Sequence, residues 1–371
     1  MGKYGKKNEV KINPLAYNIC VLGESKIGKT TIIKEVCEKL AGEDGYLFLE
    51  MYHEDGADAI QGIVYEDVPD WDTFEDIVED IVDNRTTDYK DLKVVVIDTY
   101  DQFVQLAEQE SIDLWNRENP DKRVTSINAA WGGYMKGQDK AVDLMFEKLW
   151  ELKSVGVTFI VIGHVKTKDV TDVASGDSYQ TLTSDLTQRY FNALKNKLHF
   201  LGLAYIDREI IKEKSGKKNA VTKKDEYVSK VVGETRKIKF RDDNYAVDSG
   251  SRFADIVDEI PFGADEFIEA LTNAIKSEQS KSKKSYDTTK KEQEKAESEK
   301  MKAVAKQNED TKKEKELQAV IAQITDFLKE NRSDMKKIKP ILEKSKELNY
   351  ANPTQITDIK DANEVLKLIT Q

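Results

Sequence analysis

Residues 18–30 read NICVLGESKIGKT and join two kinds of pattern. A short apolar run ends at Gly23, and residues 29–40 then show helical spacing that stops near Gly42. A run of this kind is typical of a buried strand, and glycine marks its end. The segment therefore predicts a strand, a glycine-rich loop and a helix, in that order.

The loop matches G-x-x-x-x-G-K-[ST], the phosphate-binding P-loop pattern. Gly23 and Gly28 permit the turn, while backbone N–H groups and the helix N-terminus hold the phosphates. Lys29 places a charge against the β and γ phosphates, and Thr30 supplies a hydroxyl to Mg²⁺. The alternative is a glycine-rich turn with an ordinary surface lysine. We expect ATP and Mg²⁺ as cofactors. The predicted nucleotide-binding residues are Gly23, Glu24, Ser25, Lys26, Ile27, Gly28, Lys29, Thr30 and Thr31.

Acidic residues end two further predicted strands. Asp98 ends the most strongly apolar run, and we expect it to hold Mg²⁺ through water, although acidic residues at strand ends also cap helices. Thr99 follows it, so the carboxylate that activates the attacking water must come from elsewhere. Glu50 is the predicted base because it ends the preceding strand. Glu54 and Asp55 are alternatives, and so is a solvated acidic loop without a catalytic role.

A histidine, His164, ends the next apolar run, residues 159–164. We expect it to sense the γ phosphate by hydrogen bonding and to relay that state into the loop that follows. A histidine at a strand end is also commonly structural. Lys29 and His164 thus join Glu50 in the predicted catalytic set.

Apolar runs and helical patterns alternate along residues 18–164, which predicts an α/β fold with a mainly parallel sheet. Three further strand patterns lie at residues 198–206, 227–232 and 235–240. They are joined by polar turns, such as one at residues 214–217, and predict an antiparallel extension of the sheet.

The 371 residues carry a net charge of −11. This charge argues against a protein that coats nucleic acid with its whole surface, but residues 208–241 are rich in Lys and Arg and permit a local basic face. Neither an 18-residue apolar run nor a secretory signal is readable, so we expect a cytoplasmic protein without a membrane partner. Cys20 and Cys37 are predicted to be reduced core thiols.

Four segments are predicted from the composition. Residues 1–17 form an N-terminal arm, and residues 18–275 form the core. Residues 276–316 consist of Lys, Glu, Ser and Gln with almost no large apolar residue, which predicts a charged flexible linker, either disordered or a solvated helix. Residues 317–371 show three apolar blocks and predict a small helical module that binds a partner.

Over roughly residues 18–273 the chain resembles RecA-type ATPases, and more narrowly the phage-encoded RecA-like P-loop ATPases of single-strand annealing and recombination. The resemblance rests on the P-loop, Glu50, Asp98-Thr99, His164 and residues 231–241. It implies a RecA-like P-loop NTPase fold and a homo-oligomer. It also matches Arg241, with Lys239 second, to the basic residue that reaches the ATP of the neighbouring subunit. A phage-encoded protein would act in the host cytoplasm.

The resemblance also implies contacts with single-stranded DNA. The corresponding segments are residues 111–136 and 165–189, which interleave aromatic and basic side chains suited to stacking on bases and neutralising phosphates. Two other readings remain open: a regulatory or loader ATPase that acts on a replication partner, such as a single-strand-binding protein, through residues 317–371, and a small-molecule phosphotransferase.

Overall fold

The computed structural model describes residues 8–52, 54, 56–171, 176–218, 225–241, 249–282 and 284–369, without the side chains of residues 215–218, 225 and 226. The chain divides into two compact units, Met1–Val82 with Tyr89–Glu297 and Asp83–Asp88 with Ser298–Gln371. The larger unit contains the predicted nucleotide loop and the predicted strands.

The larger unit is built on one sheet with helices on its faces. Its described strands are β1 (Ile19–Gly23), β2 (Tyr46–Met51), β3 (Tyr65–Val68), β4 (Val94–Asp98), β5 (Thr158–Thr171), β6 (Ser178–Ser184), β7 (Phe200–Lys218), β8 (Asp225–Lys239), β9 (Gly250–Ser251) and β10 (Glu259–Pro261). Its helices are α1 (Lys29–Ala41), α2 (Trp71–Asp83), α3 (Tyr100–Glu118), α4 (Lys136–Ser154), α5 (Gln188–Lys195) and α6 (Ala264–Ser280), followed by the start of α7 (Tyr286–Glu330).

The strand order is β10-β8-β7-β1-β5-β4-β2-β3, with β6 paired to β5 and β9 paired to β7. The six strands from β7 to β3 in this order are parallel to their neighbours, whereas β8 and β10 are antiparallel. The predicted α/β fold, with a mainly parallel sheet and an antiparallel C-terminal extension, is therefore confirmed. The strand β1 lies near the centre, between β5 and β7.

Alternating side chains of the central strands pack into two apolar layers. Val94 and Val96 belong to the layer that also contains apolar residues of α1 and α6, whereas Val95 and Ile97 lie on the opposite face, the side contacted by α3. Because both faces are covered, the parallel strands consist almost entirely of buried residues.

Two predicted connections are wrong because strands continue through them. The strand β7 extends through Lys218, so residues 214–217 do not form a turn. Residues 227–232 and 235–239 belong to one strand, β8, with a register shift opposite Glu209 and Ile210. The strand β5 likewise continues seven residues past His164 and pairs with β6 from Val165 to Thr171. Threonine and valine favour such pairing, and β6 supplies the partner that the sequence did not identify.

The predicted N-terminal arm contains buried residues, and the predicted linker contains helical residues. Ile12, Leu15 and Tyr17 are buried, and Tyr17 packs edge-on against Phe200 and Phe253. Residues 276–316 contribute to α6 and α7, in agreement with the strong helix propensity of Lys, Glu and Gln. The flexibility of the linker and the proposed segment boundaries stay predictions.

The second unit contains the end of α7, α8 (Met335–Glu347) and α9 (Ile359–Leu366). The predicted apolar blocks meet in a separate cluster, whose buried members are Ile324, Ile341, Ile356, Ala362 and Val365. Across the described ranges, none of the helices combines the length and hydropathy that a bilayer crossing requires.

Candidate nucleotide site

The backbone of the P-loop needs glycine at two positions for two different reasons. A Cβ atom at Gly23 would lie 3.0 Å from the carbonyl oxygen of Ala204 on the adjacent strand β7, so a side chain there would require the neighbouring backbone to shift. Gly28 has φ 105° and precedes the first residue of α1, a conformation that L side chains rarely adopt. The loop therefore turns directly from the end of β1 into the N-terminus of α1.

The ammonium group of Lys29 lies inside this turn. Its Nζ donates hydrogen bonds to the carbonyl oxygens of Gly23, at 3.1 Å, and Glu24, at 3.0 Å. Burial lowers the pKa of Lys29, while nearby carboxylates, first among them Asp98, oppose that shift. The charge is thus held at the centre of the predicted phosphate site. Of the other predicted loop residues, Ile27 is buried and Ser25, Lys26 and Thr31 are exposed.

The predicted magnesium residues meet directly. The Thr30 hydroxyl donates a 2.7 Å hydrogen bond to Oδ2 of Asp98, at the end of β4. Asp98 is 4% exposed, and this burial raises its pKa to about 6 against the opposing effect of the Thr30 hydrogen bond. A hydroxyl and a carboxylate are oxygen ligands of the kind that Mg²⁺ prefers.

The donor set fits an ion that arrives with a nucleotide. Within the described residues, no group of three or more His, Cys, Asp and Glu side chains is placed to hold a metal ion by itself. Thr30 and Asp98 would supply only part of the oxygen ligands that Mg²⁺ takes, so phosphate and water oxygens would complete the set. Bound MgATP would supply the reactive γ-phosphoryl group, and Lys29 would provide the positive charge beside it.

Glu50 lies beside this pair at the same edge of the sheet. It is level with Asp98 in the pairing of β2 with β4, and it is 2% exposed. A Cβ atom at Gly56 would lie 3.5 Å from Glu50 Oε1 and 3.8 Å from Thr30 Oγ1, so both side chains border the same point. Burial raises the pKa of Glu50 to about 7, although its carboxylate accepts a hydrogen bond from the Ala57 N–H. A carboxyl group that titrates near neutral pH suits a general base.

Of the two alternatives to Glu50 as the base, Glu54 and Asp55, only Glu54 is among the described residues. Glu54 accepts a 3.2 Å hydrogen bond from the Thr99 hydroxyl, directly after Asp98, and its charge raises the pKa of Asp98. Asp55 lies outside the described residues. Glu54 therefore orients the chain next to the magnesium pair and remains an alternative to Glu50 as the base.

His164 is level with Gly23 in the pairing of β5 with β1. Its backbone N–H donates to Oδ2 of Asp101 at 2.9 Å, and its Nδ1 lies 3.2 Å from the same oxygen. Asp101 is in the first turn of α3 and was missed in the sequence. Its position three residues after Asp98 is a usable signal, because the start of a helix that follows a parallel strand lies at the same edge of the sheet.

The two predicted cations from the C-terminal strands are placed away from the loop of their own chain. Arg241 donates from Nη2 to the carbonyl oxygen of Phe253 at 3.1 Å. Lys239 ends β8 and is paired with Glu259 of β10. Their predicted role in the site of a neighbouring subunit stays a prediction.

A different arginine of β8 contacts the P-loop within the chain. Arg236 donates from Nη1 to the carbonyl oxygen of Ile27 at 3.1 Å, and its own carbonyl oxygen accepts from the Phe262 N–H at 3.0 Å. A Cβ atom at Gly28 would lie 3.4 Å from the Phe262 ring. Strand alternation is the signal that identifies Arg236, because it shares a face with the buried Ile238, whereas Lys239 points to the opposite face.

The first predicted DNA segment, residues 111–136, is a loop only in part, because α3 continues to Glu118. The indole N–H of Trp115 donates to the Lys122 carbonyl oxygen, and that of Trp131 donates to Ser111. The two rings contact each other edge-on at 5.7 Å. These tryptophans therefore stabilise the segment between α3 and α4 through contacts within the protein. Tyr134, in contrast, is 96% exposed.

The second predicted DNA segment, residues 165–189, is mostly the β5–β6 hairpin and not a loop. Lys166 forms an ion pair with Asp185, and Arg189 forms one with Asp139. Tyr179 and Lys168 are exposed on the hairpin.

A family model described as an AAA domain matches residues 15–237. None of the curated proteins matches the chain in sequence. Among solved structures, a KaiC-like protein from the hyperthermophilic archaeon Pyrococcus horikoshii OT3 is similar over 60% of this chain and 78% of its own, with 13% identity and a TM-score of 0.30. That likeness is too distant to carry an argument about this chain. The family match spans the P-loop, Glu50, Asp98 and Arg236, and the chain belongs to this family of AAA-type P-loop ATPase domains.

Proposed function

We propose that the chain hydrolyses ATP and uses the cycle to act on single-stranded DNA in recombination or annealing. The observation that carries the hydrolytic part is the meeting of Thr30 with Asp98 beside the buried Glu50. Lys29 would neutralise phosphate charge, Thr30 and Asp98 would hold Mg²⁺, and Glu50 would take a proton from the attacking water.

Exposed aromatic and basic side chains support the DNA part of the proposal. Tyr134 and Lys136 are exposed in the first predicted segment, and Tyr179 and Lys168 are exposed in the second. Rings and ammonium groups of this kind stack on bases and neutralise phosphates. Because both indole N–H groups of Trp115 and Trp131 are used within the protein, we assign stacking to the tyrosines.

The proposal includes assembly. In a phage-encoded RecA-like oligomer in the host cytoplasm, Arg241 or Lys239 of one copy would approach the ATP of the next. His164, held by Asp101, would respond to the γ phosphate and pass that state into the β5–β6 hairpin that continues from it.

The deciding experiment measures ATP hydrolysis and DNA binding together. The full chain is incubated with Mg²⁺ and ATP, alone, with single-stranded DNA and with duplex DNA, and electron microscopy of the same mixtures reports rings, filaments or free particles. We expect binding to the single strand and stimulated hydrolysis. Absence of single-strand binding in MgATP would refute the DNA part while leaving the ATPase intact.

A second candidate is a regulatory or loader ATPase that acts on a replication partner. It is favoured by the separate apolar cluster of residues 317–371, which gives the C-terminal helices a core of their own. Capture of purified single-strand-binding protein is compared between the full chain and a chain ending at residue 316. Loss of capture together with unchanged DNA binding in the shorter chain would assign the partner to these helices.

A further inference from the structure

The β7–β8 ribbon, defined here as residues 206–214 and 227–236, is less acidic than the rest of the chain. It contains five Lys and Arg against four Asp and Glu, a net charge of +1, whereas the whole chain has a net charge of −11. The neighbouring strand β1 pairs with β7 only up to Ala204, and β10 pairs with β8 only from Lys237. The ribbon therefore leaves the sheet as two strands.

The ribbon also exposes large apolar side chains. Ile210 and Tyr227 are each 58% exposed, and Val231 is 47% exposed. A two-stranded ribbon without a further layer is marginal by itself, and exposed apolar side chains grouped in one place mark binding surfaces. These side chains are suited to burial by a ligand.

The strand register places Lys212 and Lys214 on the same face as the exposed Ile210, Tyr227 and Val231. The directly opposed pairs Ile210 with Val231, Lys212 with Ser229 and Lys214 with Tyr227 follow one another at alternate positions of β7. This face, which we call the basic face, carries no carboxylate along these three pairs. The other face carries Glu209 and Glu213, the latter in an ion pair with Lys230 at 3.4 Å, together with the exposed Ile211 and Val228.

The basic face leads directly to the nucleotide loop. The next pair inward is Arg208 with Glu234, joined by a 3.0 Å hydrogen bond, and Arg208 also lies 3.9 Å from a carboxylate oxygen of Glu24 in the P-loop. One pair further inward, Arg236 donates to the Ile27 carbonyl oxygen. A ligand along this face would reach residues that touch the loop.

We propose that the basic face of the β7–β8 ribbon binds single-stranded nucleic acid. Lys212 and Lys214 contact phosphates, Tyr227 stacks on a base, and the branched side chains of Ile210 and Val231 lie against further bases and sugars. Charge complementarity selects this ligand, since a polyanion with apolar bases matches a surface that is both cationic and apolar. The site is separate from residues 111–136 and 165–189. It rests on the proposed function only for the choice of single-stranded DNA as the ligand.

The test measures binding of a fluorescent oligothymidylate to the full chain in MgATP over a series of salt concentrations. The variant Lys212→Glu/Lys214→Glu is compared with Lys290→Glu/Lys291→Glu, which makes the same charge change at exposed positions of α7. We expect the ribbon variant to bind at least about tenfold more weakly and its log K against log salt slope to become shallower by about 1.4, the value for two lost phosphate contacts. The α7 variant should stay near wild type.

A second pair of variants separates stacking from charge. We expect Tyr227→Ala to weaken binding on the order of tenfold, with little change in the salt slope, and Tyr227→Phe to retain binding because it keeps the ring. Circular dichroism and DNA-independent ATP hydrolysis should be unchanged in all four variants, which excludes misfolding.

The possible failures are distinguishable. If the wild type binds no single-stranded DNA, the DNA part of the proposed function fails together with this site. If the wild type binds and the ribbon variants keep its affinity and salt slope, only the ribbon assignment is overturned. The same holds if sedimentation shows that the ribbon variants lose self-association and not DNA affinity, since the face would then join copies of the chain.

Discussion

The sheet has two polar regions that differ in how far their side chains are exposed to solvent. One consists of the carboxyl ends of β1, β2 and β4, and the other is the β7–β8 ribbon. At the strand ends, Glu50 and Asp98 are buried and carry raised pKa values. On the ribbon, Lys212 and Tyr227 are exposed to solvent. Desolvated carboxyl groups change protonation near neutral pH and suit chemistry on a small ligand, whereas hydrated cations suit contact with a long polyanion. Catalysis and the proposed nucleic-acid contact are therefore separable by substitution.

The largest effect is expected at the strand ends, from Lys29→Ala. The substitution removes the ammonium group that lies in the loop, so we expect hydrolysis to be abolished and ATP affinity to fall. Lys39→Ala, which removes an exposed lysine of the same helix α1, is the matched control and should hydrolyse normally. Normal turnover in Lys29→Ala would remove the P-loop from the mechanism.

A smaller loss is expected from Asp98→Asn, which keeps the shape of the side chain and removes its charge. If Asp98 holds Mg²⁺ through water, the Mg²⁺ concentration needed for half-maximal hydrolysis should rise by about 10- to 100-fold. A magnesium titration at saturating ATP measures this shift. An unchanged titration would leave Asp98 with only its hydrogen bond to Thr30.

The difference between the two regions also explains how far the sequence could predict each of them. The P-loop and the acidic residues near the ends of β2 and β4 could be predicted from the sequence. In each case the functional residues directly follow an apolar run, so a short stretch of sequence contains the whole pattern. The contact of Arg236 with Ile27 joins residues 209 positions apart and depends on the pairing register of β8, which no local pattern contains.

The sequence also did not predict where strands end outside the parallel core. His164 was predicted to end its strand because the apolar run stops there, but β5 continues as a polar hairpin once β6 is available as a partner. Asp101 shows the same limitation, because its contact with His164 requires α3 and β5 to meet in space. Local composition predicts which strand residues are buried. The pairing of polar strand segments and the contacts between polar side chains at the edge of the sheet depend on tertiary structure.

The pH dependence of hydrolysis tests whether a buried carboxylate limits the reaction. A base must be unprotonated, and burial raises the pKa of Glu50 to about 7. We therefore expect hydrolysis to rise with pH through about 7 and to fall about tenfold per pH unit well below it. A rate that stays constant between about pH 6 and pH 8 would contradict this assignment.

The smallest effect is expected where the two regions meet, from Arg236→Met. Loss of the hydrogen bond to Ile27 should loosen the P-loop and weaken ATP binding by roughly tenfold, in line with hydrogen bonds from charged groups. Lys230→Met, at an exposed position of the same strand, is the comparison and should leave ATP binding unchanged. If Lys239→Met reduces hydrolysis more strongly than Arg236→Met at concentrations where the chain assembles, the cation from the neighbouring copy contributes more to hydrolysis than Arg236 does.

The most direct test of the strand-end site is single-turnover hydrolysis of bound MgATP by Glu50→Gln and Glu54→Gln. Both substitutions remove one carboxylate charge from neighbouring positions, so they form a matched pair. We expect Glu50→Gln to bind ATP and to lose turnover by about 10²- to 10⁴-fold, the usual contribution of a general base, while Glu54→Gln retains turnover near the wild-type rate. Wild-type turnover in Glu50→Gln, or a greater loss in Glu54→Gln, would contradict the assignment of Glu50 as the base.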